Sequence, residues 1–134
     1  MCPLGKELGE SKPPDLPSDP VSQPLNILVY NIRSIIGKLG ELLKLVDDHD
    51  VHLILCQESW LDASMESVEI PGYKTISRRD RSATSNRGGV ITFARHDFNN
   101  LVHVANSSDD ERSWHHLNSD AENILLANCY RPPG

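Results

Sequence analysis

Cysteine is scarce and poorly spaced for chemistry: Cys2, Cys56 and Cys129 form an odd set with no C-x-x-C pair. That argues against a disulfide scaffold or a cysteine zinc site, and it fits a reducing intracellular compartment, nuclear or cytoplasmic. Long apolar runs are also lacking. None approaches the ~18 residues a membrane span needs, and no apolar segment follows the start, so neither a membrane role nor secretion is expected. Glycine is absent from position 2, which excludes N-myristoylation. Positive charge is in deficit, 13 Lys and Arg against 19 Asp and Glu, for a net charge of −6. With 38% apolar and 24% charged residues over 134 positions, what remains is an ordinary globular composition of single-domain size.

The acidic total hides one basic stretch. Residues 78–95 hold Arg78, Arg79, Arg81, Arg87 and Arg95 against the single acid Asp80. Composition leaves two readings open, a solvated loop and a phosphate-contacting patch. Pro3, Pro13, Pro14, Pro17, Pro20 and Pro24 crowd the first 24 residues, where few large apolar side chains occur. Such a segment cannot bury enough surface to offset its ordering entropy, so residues 1–24 read as a disordered leader and 25–134 as the folded part.

The folded part opens on Leu25, Ile27, Leu28, Val29 and Tyr30, a buried-strand pattern. Ser34 is placed to cap a helix whose apolar positions Ile35, Ile36, Leu39, Leu42, Leu43 and Val46 repeat at three and four. Val51–Cys56 is a second apolar run. Strand, helix, strand makes a βαβ unit with parallel strands and a right-handed crossover. Parallel strands end at one edge of the sheet, so Asn31 and Gln57-Glu58 arrive at a common rim, where α/β sheets keep their sites. Further strands are expected at Tyr73–Ser77, Val90–Ala94, Leu101–Val104, Trp114–Leu117 and Ile124–Cys129. One helix against about seven strands predicts a mixed α/β arrangement: a sheet covered by the helix on one face and uncovered within this chain on the other. Arg87-Gly88-Gly89 reads either as a phosphate-facing loop or as a turn that opens a strand.

The ordered strings LNILVYNIRS, DVHLILCQESWL, PGY, RGGVITFAR and ILLANCYRPPG resemble the endonuclease/exonuclease/phosphatase superfamily, the deoxyribonuclease-I-like fold. Within it, E-S-W-L, R-G-G-V and Y-R-P-P resemble the apurinic/apyrimidinic-like endonuclease domain of non-LTR retrotransposon polyproteins, which accompanies a reverse transcriptase. The resemblance implies one half of a four-layer α/β sandwich over residues 25–134. It implies DNA nicking with Mg2+ (or Mn2+), and contact with the DNA phosphate backbone. Glu58 matches the metal-binding glutamate, since a hard cation needs an anionic oxygen at a fixed position. Asn31 matches the asparagine that supports the metal network and the scissile phosphate. Tyr130 matches the tyrosine facing the phosphate or the attacking water, and Arg87 and Arg131 flank these motifs as substrate contacts. Trp60 reads as packing over the strand ends.

The same resemblance calls for an Asp-x-Asn and an Asp-His pair after the Y-x-P motif. Asp97-Phe98-Asn99 and Asp48-His49 imitate them, but both precede Tyr130. The expectation is therefore an N-terminal half whose partner is either the missing C-terminal half or a second copy joined through the uncovered sheet. A non-catalytic remnant, and an inositol-phosphate or sphingolipid phosphodiesterase, are the alternative readings.

Overall fold

The computed structural model describes residues 24–81, 87–108, 110–118 and 122–131. The expected leader, apart from Pro24, lies outside the described residues. The described chain forms strands β1 (Ile27–Asn31), β2 (Leu53–Gln57), β3 (Tyr73–Arg79), β4 (Val90–Arg95), β5 (Leu101–Asn106), β6 (Glu111–Asn118) and β7 (Asn123–Tyr130). Its single described helix is α1 (Leu39–Asp48). No helix among the described residues is long and apolar enough to cross a membrane.

The βαβ unit forms as the apolar runs require. β1 and β2 pair in parallel, with Ile27 opposite Leu53 and Asn31 opposite Gln57. The helix starts later than its periodicity suggests. Ser34 sits at φ +84°, a left-handed conformation incompatible with the extended backbone of an N-cap. Its hydroxyl instead accepts the Gly37 N–H at 3.1 Å and closes a separate turn. Ile36 consequently leaves the buried stripe and is exposed, whereas Ile35 and Leu42 are fully buried.

The seven strands divide into two sheets, which corrects the expectation of one. β1-β2-β4-β3 form a mixed sheet, and β5-β6-β7 form an antiparallel one. Alternation explains how both faces of the first sheet are used. Ile54, Cys56, Ile91 and Phe93 point toward α1 and join Ile35 and Leu42 in one core cluster. Leu53, Leu55 and Ala94 point the other way and meet Phe98, Leu101 and Leu117 beneath the second sheet. The face expected to lie bare is thus covered by the chain's own β5–β7, which removes the reason for expecting self-association through it. Cover stops short of β1, an edge strand, where Ile27 is 40% and Val29 63% exposed.

Candidate functional site

The rim is built from four strand ends. Inward-facing side chains change from apolar to polar as each strand approaches it: Leu53, Leu55, Gln57 on β2; Leu117, His115, Ser113, Glu111 on β6; Ile124, Leu126, Asn128, Tyr130 on β7. On β1 the exposed side chains Ile27, Val29 and Asn31 follow the same apolar-to-polar order. An open cleft of about 530 Å³ runs between β1 and β7, lined among others by Val29, Asn31, Gln57, Asn128, Tyr130 and Arg131.

The backbone carrying Glu58 is gripped from both sides. On one side Ile32, Ser34 and Ile35 donate their N–H groups to the carbonyls of Gln57, Glu58 and Ser59 at 2.9, 3.0 and 3.1 Å. On the other, the Ser59 and Trp60 N–H groups donate to Gly89 and Gly88 at 3.3 and 2.9 Å. Arg33, Ser34, Glu58 and Trp60 all take positive φ. Left-handed conformations cost non-glycine residues about 1–2 kcal/mol each, so four together mark a segment that its surroundings hold in place.

Glu58 side-chain exposure is 14%, and its carboxylate lies 3.6 Å from the Arg33 guanidinium, which is 69% exposed. The Tyr130 phenol lies close enough to the Glu58 carboxylate to feel its charge. Burial raises the Tyr130 phenol above its ordinary pKa, and the negative charge of Glu58 raises it further, with Arg81 opposing. Asn31 is exposed at the end of β1 and shares the cleft with Tyr130. The structure therefore brings Asn31, Glu58 and Tyr130 to one rim. Arg131 is exposed at the cleft wall, and the Arg87 guanidinium lies 4.3 Å over the Trp60 ring. Gly88 and Gly89 precede β4, and their carbonyls and the Gly89 N–H are committed to protein partners.

The basic stretch is neither of the two things composition offered. Arg78 pairs with Asp80 at 2.8 Å and donates to the carbonyls of Asp62 and Met65. Arg79 donates to the Ser107 carbonyl, and Arg81 pairs with Glu111 at 3.0 Å. Arg95 pairs with Asp50 and Asp97 at the opposite end of the sheet. Most of the stretch braces loops. The decoys are likewise off the rim: Asp97 binds Arg95, Asn99 binds Lys74, and His49 is exposed at the end of α1.

Sequence reading missed three rim residues. Asn128 is buried; its amide donates to the Cys56 and Ile91 carbonyls and to Thr92, while its oxygen accepts from Gln57 at 2.8 Å. Glu111 is also buried, bound to Arg81 and the Gly89 N–H, and stands opposite Tyr130 across β6 and β7. Arg33 is the third. The signal available for Asn128 was the alternate position two residues before Tyr130, which places both side chains on one face.

No protein-family model matches the chain, and neither does any curated protein. Solved structures do. The AP endonuclease LMAP from Leishmania major superposes with a TM-score of 0.65 at 14% identity, covering 79% of this chain and 40% of that one. The 3′ phosphatase NExo from Neisseria, bound to a product DNA hairpin, superposes at 0.50 and 14% identity, covering 76% and 40%. The chain shares the α/β sandwich fold of these structures. It spans about 40% of the length of these two structures.

Proposed function

We propose that this chain carries the ion-anchoring and phosphate-facing part of a metal-dependent DNA phosphodiesterase, of the endonuclease type found in non-LTR retrotransposons. The observation that supports it is the convergence of Asn31, Glu58 and Tyr130 at one rim of a fold shared with an AP endonuclease and a DNA 3′ phosphatase.

The donor set fits a magnesium or manganese ion. Such ions are held by one or two carboxylates and keep several waters; Glu58 offers one largely shielded carboxylate, and Asn31 stands opposite its chain neighbour Gln57 at the end of the paired strand. Among the described residues no group of three His, Cys, Asp or Glu side chains is placed to cage a metal, so the fit is to a one-carboxylate anchor. A bound ion there supplies Lewis-acid polarisation of a phosphoryl oxygen. The protein's own part is positional. Tyr130, close to the Glu58 carboxylate, helps to orient it. Asn31 offers an amide to the phosphate, and the exposed Arg33, Arg87 and Arg131 surround the site with positive charge for the DNA backbone.

The resemblance calls for a water-activating Asp and a His after the Y-x-P motif, and in this reading they come from another polypeptide segment that adds to the open side between β1 and β7. The test is a plasmid-nicking and DNA-binding assay with magnesium. The chain alone should bind duplex DNA more tightly with magnesium than without, and Glu58→Gln should erase that difference. Each of Arg33→Ala and Arg87→Ala should reduce the salt slope of binding by about 1. Magnesium-independent binding that ignores Glu58→Gln would refute the proposal, while robust nicking by the chain alone would refute its need for a second segment.

A further inference from the structure

Glu111 is a buried carboxylate paired with Arg81, and the anchor-and-phosphate reading gives it no role. It stands at the start of β6, 6% exposed, with one oxygen 3.0 Å from the Arg81 Nε and the other accepting the buried Gly89 N–H. The two glycines are shaped to this contact. A Cβ on Gly88 would collide with the Glu111 carboxylate and with the Arg81 guanidinium, and a Cβ on Gly89 would come within 2.7 Å of the Ser59 hydroxyl. Both glycines have positive φ, +66° and +88°. Their carbonyls in turn receive the Trp60 and Ser59 N–H groups, the two peptides that follow Glu58.

We infer that Glu111 is a positioning residue for Glu58. The line of force is a short series of hydrogen bonds: the Glu111 carboxylate holds the Gly89 N–H, Gly88 and Gly89 hold Trp60 and Ser59, and that grip keeps Glu58 left-handed with its carboxylate toward Tyr130. Arg81 neutralises the buried charge and aims it. The inference rests on the reading of Glu58 as the ion anchor. Groups that orient a metal ligand without touching the ion typically change metal affinity 10–100-fold when removed.

The probe is Mn2+ alone, titrated into the full 134-residue chain and followed by electron paramagnetic resonance of the free ion, with no turnover required. Glu111→Ala should weaken Mn2+ binding about tenfold or more. Glu111→Gln keeps an acceptor for the Gly89 N–H and should stay within about threefold of the parent chain. Where Glu111→Ala does not fold, Glu111→Asp serves: it keeps the charge but withdraws it from Gly89, and should weaken binding by a similar factor. Phe98→Leu, at the far end of the sandwich, controls for lost stability and should bind Mn2+ like the parent chain. Parent-like affinity in the Ala or Asp variants, alongside a large loss in Glu58→Gln, would overturn the positioning role alone. An equal loss in Phe98→Leu would overturn it too, by making the effect one of general stability. Unchanged affinity in Glu58→Gln would overturn the anchor reading, and this inference with it.

Discussion

The two ends of the layer between the sheets are made of different chemistry. At the end away from the rim, Leu53, Leu55, Ala94, Phe98, Leu101 and Leu117 pack as an apolar cluster without a hydrogen-bonding side chain. At the rim end β2, β4, β6 and β7 contribute Gln57, Thr92, Ser113, His115, Asn128 and Glu111, all of them paired. The apolar end supplies the non-directional free energy of burial, about 1.5–3 kcal/mol for each large side chain. The polar end supplies direction. A hydrogen bond nets only about 1 kcal/mol, but leaving a buried partner unpaired costs more, so such a layer tolerates few arrangements. The proposed site, which would have to hold one carboxylate still, lies at the end that specifies geometry.

The sharpest way to separate the ends is to empty the apolar one. Phe98→Ala should cost about 3–5 kcal/mol by chemical denaturation, since Phe98 is fully buried in a closed cluster. The folded fraction should keep its Mn2+ affinity. A variant that loses the ion in proportion to stability would erase the distinction.

Asn128→Ala should cost less, about 2–3 kcal/mol, by leaving Gln57 and the Cys56 and Ile91 carbonyls without their partner. Unlike Phe98→Ala, it should also weaken Mn2+ binding by the folded chain, because Gln57 directly precedes Glu58. Calorimetry and the Mn2+ titration on the same sample check both halves.

The polar end should also give stability its pH dependence. His115 is buried, its Nε2 2.7 Å from the Ser77 hydroxyl and its Nδ1 3.1 Å from the Leu126 carbonyl. The carbonyl can only accept, so Nδ1 carries the proton and Nε2 accepts from Ser77. Burial lowers the His115 pKa below 6.5, with the Leu126 carbonyl opposing and His103 adding. The unfolded chain then binds the extra proton more readily. Its contribution is present above pH 6.5 and is lost as pH falls through the lowered value. Denaturation midpoints measured from pH 7.5 to 4.5 should fall with acidity, and less steeply in His115→Gln.

The smallest effect concerns the thiols. Burial against α1 pushes the Cys56 thiol up to about 12, whereas Cys129 is exposed. Native protein should modify at Cys129 with a thiol reagent and leave Cys56 intact, Cys56 reacting only at the rate of unfolding. Mass spectrometry of the modified peptides reads the difference.

The βαβ unit was legible because both its strands are continuous apolar runs and its helix has a clear stripe. The helix start was not, because a serine before an apolar repeat looks the same whether it caps a helix or closes a turn at φ +84°. The second sheet was hidden for a physical reason. On β6 the inward residues are Glu111, Ser113, His115 and Leu117, three of them polar, so the buried face reads as a solvent face. Asn31, Glu58 and Tyr130 stood out through the motifs around them. Glu111 did not, because it closes an Asp-Asp-Glu run that resembles a solvated turn, and its partners come from residues 22 to 30 positions away. The arginines of 78–95 misled because most of their partners lie outside the stretch: the carboxylates of Asp50, Asp97 and Glu111, and the backbone carbonyls of Asp62, Met65 and Ser107.

The most direct test of the central claim, that Asn31, Glu58 and Tyr130 form one ion-and-phosphate site, is amide NMR of the 134-residue chain during a Mn2+ titration. Paramagnetic broadening should spread first from Asn31, Glu58 and Tyr130, spare Phe98 and Leu101 at the far end, and vanish in Glu58→Gln. Broadening centred instead on the acidic end of α1, Asp47 to Asp50, or persisting at the rim in Glu58→Gln, would contradict the account.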